Sequence, residues 1–321
     1  MRLALILSVL AAPALADFPE TVQDHILPGY AGFATATRTL ADTAAQDCTA
    51  ETVKPAFNAA YDAWLGVQHL RFGPVEQDGL GLSIAFWPDP KGSGAKAQMG
   101  LLTGDAALLT PKRFAEQSVA ARGLTGLERL LYPKSALPAD PCALIRATAE
   151  DLARTADLLN AAWVSGYAQT VLTAGGAGNT TYLTRTEARQ VLFTQIATAL
   201  EFAKDQRLGR PLGSFDKPHP ERAEATASGR SLRHVVLSLQ ALRGMVTTLT
   251  PDAPRTLAAF VRAIALAKGL DDPVFAGVAT PEGRLKVEVL QQAVSALIAS
   301  VMAELAPELD VGIGFNAADG D

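Results

Sequence analysis

Apolar side chains recur every three or four residues along most of this sequence, and this spacing marks one face of an α-helix. Two clear stripes are Phe57, Tyr61 and Trp64, then Leu192, Ile196 and Ala199. A capping side chain stands directly before a proline at four further places, which are Thr110-Pro111, Asp140-Pro141, Thr250-Pro251 and Thr280-Pro281. Such pairs are typical of a helix start, because the side chain caps free amides and proline fits the first helical position. The pattern predicts an all-α fold.

These marks divide the chain into helices and two non-helical stretches. We predict main helices at residues 20–46, 50–72, 122–132, 141–170, 185–204, 228–248, 252–269 and 281–308, with a shorter one at 112–121. Residues 73–110 are rich in Gly and Pro without a sustained period, so we expect a long connection across one end of a bundle. The glycine-rich residues 171–184 are predicted to link two four-helix-bundle-like domains packed together, at 17–170 and 185–309, and residues 310–321 form an acidic tail.

Residues 1–16 have the pattern of a signal peptide. Arg2 provides a positive charge, an apolar run of about ten residues follows, and Ala14-Leu15-Ala16 is a small-x-small cleavage site before Asp17. A membrane-spanning helix needs roughly twenty apolar residues, so we expect cleavage and no transmembrane segment. The sequence therefore predicts an exported protein of the bacterial periplasm.

The charge of the chain argues against some classes of partner. The net charge is −5 over the full chain, and removing Arg2 with residues 1–16 takes away one positive charge and leaves −6. A mildly acidic protein without a long basic run is a poor binder of nucleic acid or anionic lipid. We expect no nucleic acid among its partners.

The two cysteines, Cys48 and Cys142, are predicted to form a disulfide. If the first helix runs up, Cys48 lies in the turn at the top. The second helix descends, the long connection crosses the bottom and the third helix climbs, so Cys142 at the start of the fourth is again at the top. In an oxidising periplasm such a pair is a disulfide candidate, whereas in a reducing cytosol two distant cysteines are ordinary core residues.

Polar residues at the end of the second predicted helix form the first candidate site. Extending the Trp64 stripe by four and then three residues puts Gln68 and Arg71 on the core-facing side, with His69 near its edge. Polar side chains in such a place need hydrogen-bond partners or line a pocket. A hydrogen-bonded helix end and a ligand site are both consistent with this pattern.

A second group lies near the start of the third main helix. Thr125 and Glu128 share one helical face beside a buried leucine stripe. The Glu128 carboxylate can bind a metal ion or pair with Arg71. Because the second helix descends to the end at which the third begins, we expect both groups to converge beneath the connection at residues 73–110.

These segments and their order resemble the imelysin family, which includes iron-regulated proteins and proteins described as insulin-cleaving peptidases. The family motif is Gly-x-His-x-x-Glu. Gly123 and Glu128 match it, while Thr125 stands in place of the histidine. An aromatic-x₇-Phe-Gly-Pro segment that ends the second helix is also similar, with Trp64 in its aromatic position and Gln68 in place of a common glutamate.

A segment of the second half carries a weaker likeness. Ser228-Gly229-Arg230-Ser231-Leu232 resembles a Ser-rich segment of the family. Cationic groups surround the same helix, at Arg230, Arg233, His234 and Arg243. We expect a solvated face there, with a surface for anions or haem propionates as the alternative.

The resemblance implies two helical bundles related by distant duplication, with a site between them. Its candidate ligand or metal residues are Glu128, His69, Gln68, Thr125 and Arg71, and its secondary candidates are Trp64, Ser228, Arg230 and Ser231. A threonine hydroxyl is a poor metal ligand beside imidazole, so a metal here requires compensation by His69.

Three functions are compatible with this pattern. The favoured one is a non-enzymatic periplasmic protein that binds iron or haem in iron acquisition, with an envelope iron-uptake protein as partner. The alternative is a metallopeptidase of the imelysin type, which needs a metal-activated water and a general base, and only Glu128, His69 and Glu76 are suitably placed. The third is a scaffold that docks through an apolar patch at Ile84, Phe86 and Trp87.

Overall fold

A computed structural model describes residues 17–312, and within them the chain is all-helical, as predicted. The first half contains α1 (Phe18–Thr21 and Leu27–Gln46, joined by a π-helical turn at Val22–Ile26), α2 (Ala50–Leu65), α3 (Leu80–Ile84), α4 (Ser93–Thr103), α5 (Pro111–Ala115), α6 (Gly123–Leu131) and α7 (Cys142–Ala162 and Ala168–Leu172, joined by a π-helical turn at Trp163–Tyr167). The second half contains α8 (Arg185–Phe202 and Gly209–Leu212, joined by π-helical Ala203–Leu208), α9 (Ser231–Leu249), α10 (Pro254–Lys268) and α11 (Pro281–Ser300 and Ala306–Glu308, joined by π-helical Val301–Leu305). Short 3₁₀ segments lie at Gly73–Gly79, which is kinked at Gln77 and Asp78, and at Ala106–Leu109, Val119–Ala121, Pro220–Arg222 and Ala276–Ala279.

Side-chain caps begin α8 and α11. Among the predicted Thr-Pro starts, Thr280 forms its cap, Thr110 makes no capping hydrogen bond, and the helix after Thr250 begins only at Pro254. The Thr184 hydroxyl accepts a hydrogen bond from the Glu187 amide at 3.1 Å, and the Thr280 hydroxyl accepts one from the Gly283 amide at 3.2 Å. Each bond satisfies an amide that has no partner inside its helix. These caps determine where α8 and α11 begin.

Packing follows the apolar stripes. In the first half α1 lies against α2 and α7, and in the second half α9, α10 and α11 pack in sequence. Contacts of α2 and α1 with α9 join the halves. Buried apolar side chains of both halves form one continuous cluster. The division into domains at 17–170 and 185–309 stays a prediction.

The connection at residues 73–110 was predicted to lack helices, and this prediction is wrong. It contains α3 and α4. The second helix also ends earlier than predicted, at Leu65 and not at residue 72, because Gly66 has a poor helix propensity and the chain turns there. This turn, and no helix, presents Gln68, His69 and Arg71.

The predicted disulfide is confirmed. Cys48 and Cys142 are bonded, with their Cα atoms 5.3 Å apart, and join the α1–α2 turn to the start of α7. The bond spans a sequence separation of 94 residues. Closing a loop of this length stabilises the folded chain by about 4–5 kcal/mol in the chain-entropy model.

The start of α1 is fastened to the second half. The Asp17 carboxylate accepts hydrogen bonds from Arg185 at 2.8 Å and from Arg189 at 2.7 and 2.8 Å. Asp17 also caps α1 together with Glu20. Residues 1–16, the predicted signal peptide, and residues 313–321, most of the predicted acidic tail, lie outside the described residues.

One helical segment of the described chain, Pro281–Glu308, is long and apolar enough to cross a membrane by length and composition, with a mean hydropathy of 1.5. Its stripe of Val287, Leu290, Val294 and Leu297 is buried in the fold. Because this stripe packs against α10 and α8, we interpret the segment as a member of the helical bundle.

Candidate functional site

The start of α6 is pressed against the end of α3. Gly123 has a φ of +64°, and a Cβ there would lie 2.2 Å from the Ser83 carbonyl oxygen, so only glycine fits. This close approach places Thr125 beside the residues that follow α3. The Thr125 hydroxyl accepts a hydrogen bond from the Phe86 amide at 3.2 Å. Thr125 is therefore engaged in holding the segment after α3.

Glu128 contacts the second half of the chain. Its Oε1 accepts hydrogen bonds from the Ser228 amide at 2.9 Å and from the Ser228 hydroxyl at 2.7 Å. The carboxylate is buried. The structure thus contradicts the expected pairing of Glu128 with Arg71 and brings Glu128 together with Ser228, a secondary candidate.

Arg71 was predicted to face the core, but it is exposed to solvent. Its guanidinium lies over the Phe202 ring at 5.1 Å, and its backbone amide donates to Gln195 Oε1 at 2.9 Å. Partial burial of the guanidinium and the like charge of Arg207 lower the pKa of Arg71, while Glu224 opposes this shift. The prediction failed because α2 ends at Leu65, so the helical spacing no longer applies at residue 71.

Gln68 is hydrogen-bonded to a member of a buried ion pair that the sequence did not predict. Its Oε1 accepts a hydrogen bond from the Arg207 guanidinium. Arg207 also donates to Glu224 at 2.7 Å and to the Ser238 hydroxyl at 2.5 Å, and all three groups are buried. His234 Nδ1 lies 3.1 Å from the same Glu224 oxygen.

Glu224 remains ionised in this environment. Burial by itself would raise the pKa of the Glu224 carboxyl, but Arg207 and His234 lower it to about 2. Tyr61 stands nearby, with its ring 4.3 Å from that of His234. Burial, followed by the charges of Glu224 and Glu128, raises the pKa of Tyr61 well above its usual value. Tyr61 therefore stays a neutral phenol between the two carboxylates.

His69 faces a second histidine and not Glu128. Its Nε2 lies 3.0 Å from Nε2 of His25, which belongs to the π-helical turn of α1. Burial lowers the pKa of His25 to about 4, and burial together with His25 lowers the pKa of His69 well below its usual value. Both rings are neutral near pH 7, so one donates its proton and the other accepts.

Of the remaining secondary candidates, Arg230 and Ser231 lie at the start of α9, and Trp64 lies in α2. Arg230 donates to the Asp62 carboxylate and to the Asn58 carbonyl oxygen, and Ser231 is buried. The expected solvated face is therefore wrong for Arg230 and His234, which are buried against α2, and holds only for Arg233 and Arg243. Trp64 is buried beside Phe33, where ring centroids are 5.3 Å apart.

Two cavities flank Gln68 and Arg71. One, of about 110 Å³, lies between the turn after α2 and helices α8 and α9, and its lining includes His69, Phe202 and Arg207. The other, of about 290 Å³, lies between that turn and the segment with α3, from Val75 to Trp87. The segment from Val75 to Trp87 therefore borders the larger of these two cavities only.

The predicted apolar docking patch is not present. Ile84 is fully buried, and Phe86 and Trp87 are half-buried. The Trp87 ring packs against Phe202 with centroids 5.9 Å apart, because the segment folds inward over the site.

The residues at the family motif do not fit a bare metal ion. Thr125 offers a hydroxyl that already binds a backbone amide, and Glu128 Oε1 already accepts two hydrogen bonds. Within residues 17–312, no three His, Cys, Asp or Glu side chains are grouped so that they could hold a metal together. The five primary candidates thus fall into two sets, one joined to Ser228 and one joined to Arg207 and His25.

These observations define the class of protein: an all-helical chain with a polar site between its two halves. Residues 26–301 match the family described as Imelysin, so the chain belongs to the imelysin family. No curated protein matches the sequence.

Two solved structures share the fold. An imelysin-like protein from Psychrobacter arcticum 273-4 is 20% identical with a TM-score of 0.77, and the match covers 94% of this chain and 100% of that one. A putative iron-regulated protein A precursor from Parabacteroides distasonis ATCC 8503 is 13% identical with a TM-score of 0.70, over 92% and 96% of the two chains.

Sequence reasoning missed His25, Arg207 and Glu224. Each is a single polar residue without a motif, and His25 and Arg207 meet His69 and Gln68 across 44 and 139 residues. Their local sequences carried no signal, because Arg207 directly follows the polar run Lys204-Asp205-Gln206 and Glu224 lies in a polar turn.

Proposed function

We propose that this protein is a non-enzymatic binding protein of the bacterial periplasm that takes part in iron acquisition, with an envelope iron-uptake protein as its partner. It binds iron as part of a complex, in the cleft beside Gln68 and Arg71. Peptidase activity is not part of this proposal, because a metal-activated water needs a metal site.

One observation carries the proposal. The two motif positions that would bind a ligand are both engaged, since Thr125 accepts a hydrogen bond from the Phe86 amide and Glu128 accepts two from Ser228. A carboxylate that already accepts two hydrogen bonds and a hydroxyl make a weak ligand field. The cleft beside them instead presents guanidinium groups from Arg71 and Arg207, which repel a bare cation.

Other features support the location and the link to iron. The Cys48–Cys142 disulfide is of a kind that persists in oxidising compartments such as the periplasm. The Asp17 carboxylate, directly after the predicted cleavage site, caps the first helix. A solved protein of the same fold is described as a putative iron-regulated protein A precursor.

Protein isolated from its own periplasm tests the proposal. We expect iron to co-purify with it, and Arg71→Ala to lower the iron content, while exposed Arg113→Ala, on α5 and outside the lining of both cavities, serves as the matched control. Intact mass should show Asp17 as the first residue.

Metal-dependent cleavage of a protein substrate that disappears in Glu128→Ala would contradict the proposal in favour of a metallopeptidase. Absence of iron in protein from iron-replete cells would contradict the role in iron acquisition.

A further inference from the structure

We infer that the cavity of about 110 Å³ between the turn after α2, α8 and α9 is a binding site for a small organic acid, held through its carboxylate. This inference names the chemical class of the molecule that carries iron in the proposed function, and it rests on that proposal. It depends on four features of the cavity: its charge, the fixed position of its arginine donors, a histidine nitrogen without a hydrogen-bond partner, and its apolar walls.

The cavity is cationic. Arg71 stands at its open side and Arg207 lies buried in its lining. The carboxylate paired with Arg207 is Glu224, which also faces His234. The residues that line the cavity thus include two arginines and no carboxylate, and a carboxylate ligand would complement them.

Arg207 is held in place before any ligand arrives. Its three contacts go to Glu224, Ser238 and Gln68, one from each nitrogen of the guanidinium. An arginine side chain carries five N–H donors, so two remain on the terminal nitrogens. A fixed guanidinium loses little side-chain entropy on binding, and its planar fork suits a carboxylate.

His69 contributes an independent sign of a missing partner. It lines the cavity and is only 7% exposed, yet its Nδ1 atom has no hydrogen-bond partner. Buried polar atoms without partners are costly, so such an atom needs a reason. When His25 donates through Nε2, His69 carries its proton on Nδ1 and can donate it to a carboxylate. The histidine pair thus makes a neutral donor at the cavity.

The walls favour a carbon-containing acid over an inorganic anion. Leu65, Ala199, Phe202 and Leu242 line the cavity between its charged groups. An organic acid places its methylene groups against these walls, whereas phosphate has no apolar part to bury. Haem is excluded by size, because pockets for large ligands are about 300–1,000 Å³.

Isothermal titration calorimetry with succinate, and with inorganic phosphate as the competing anion, tests the inference on iron-free protein. We expect succinate to bind and phosphate to bind more weakly. Arg71→Ala should raise the dissociation constant for succinate about tenfold, because it removes one charged hydrogen bond. Ala199→Leu should abolish binding by filling the cavity, and Arg113→Ala should change nothing.

A spectroscopic measurement complements the calorimetry. On addition of succinate, the ¹⁵N resonance of His69 Nδ1 should shift to that of a protonated nitrogen, and circular dichroism of each variant should match the wild type. Unchanged succinate affinity in both Arg71→Ala and Ala199→Leu would overturn the inference, as would tighter binding of phosphate. If succinate fails to bind but iron still co-purifies, the organic acid is wrong and the proposed function stands.

Discussion

Two of the polar contacts that join the halves of this protein differ in how completely their donors and acceptors are paired. At the Glu128–Ser228 contact, a backbone amide and a hydroxyl both donate to one carboxylate oxygen. At the Arg207 contact, the guanidinium is fixed, yet donors remain free and His69 Nδ1 beside it has no partner. The first contact resembles a structural joint and the second a prepared binding site. The family motif, in this chain, lies at the joint.

The largest effect is expected from Arg207→Ala. It leaves the buried Glu224 carboxylate without its main ionic partner, so we expect a loss of about 3–5 kcal/mol in the free energy of unfolding. Urea denaturation measures this. Arg38→Ala, which breaks an exposed ion pair with Asp157, is the control and should cost less than about 1 kcal/mol. Equal losses of unfolding free energy in both variants would mean that the buried Arg207–Glu224 pair is no more stabilising than an exposed ion pair.

Acid should weaken the protein in two steps. The folded-state pKa of His25, about 4, is below its ordinary value of 6.5, so the unfolded chain binds more protons between these values. The stabilisation that neutral His25 contributes is therefore fully present above pH 6.5. It falls by about 2–3 kcal/mol as the pH drops toward 4. Glu224, with a pKa of about 2 against an ordinary 4.5, adds a second loss from pH 4.5 downward.

Urea denaturation between pH 7 and pH 3 checks both steps. His25→Gln should remove much of the loss between pH 6.5 and 4 and keep the second step. A wild-type free energy of unfolding that stays constant from pH 7 to 4 would show that the histidine pair is not buried in solution.

Ser228→Ala tests the joint. It removes the hydroxyl bond to Glu128 and leaves the backbone amide bond, so we expect a loss of about 1–2 kcal/mol. Ser295→Ala, whose hydroxyl bonds only within α11, should change stability by less than about 0.5 kcal/mol. A similar small change in Ser228→Ala would mean that Glu128 is satisfied without this contact.

Arg71→Ala should have the smallest effect on stability, within about 0.5 kcal/mol, because Arg71 is exposed and its hydrogen bond to Gln195 comes from the backbone. Thermal melting measures this. Combined with weaker succinate binding, an unchanged melting temperature separates a ligand-binding residue from a structural one. A drop as large as that of Ser228→Ala would place Arg71 among the structural contacts.

Local signals explain which parts of the fold could be predicted. Thr184 and Thr280 begin helices because their hydroxyls reach amides three residues away, and that geometry is written in adjacent sequence. The Cys48–Cys142 pair followed from counting helix directions. By contrast, one glycine, Gly66, ended α2 early, and this turned Arg71 from the core toward solvent.

The candidate site was predicted only on its first-half side. Gln68 and His69 do line the cavity, but their partners Arg207 and His25 belong to a different part of the chain or to another helix. Such contacts depend on how helices pack, and packing is decided by the sum of many apolar contacts. No spacing rule connects a residue at 68 with one at 207.

The bonds of Asp17 to Arg185 and Arg189 have a consequence for the order of folding. The two partners are separated from Asp17 by 168 and 172 residues, so α1 cannot complete its contacts until more than half of the chain is available. A chain synthesised from its amino end must therefore leave this helix without its ion pairs until α8 has been made. A bulky tag fused directly before Asp17 would hinder this late docking step.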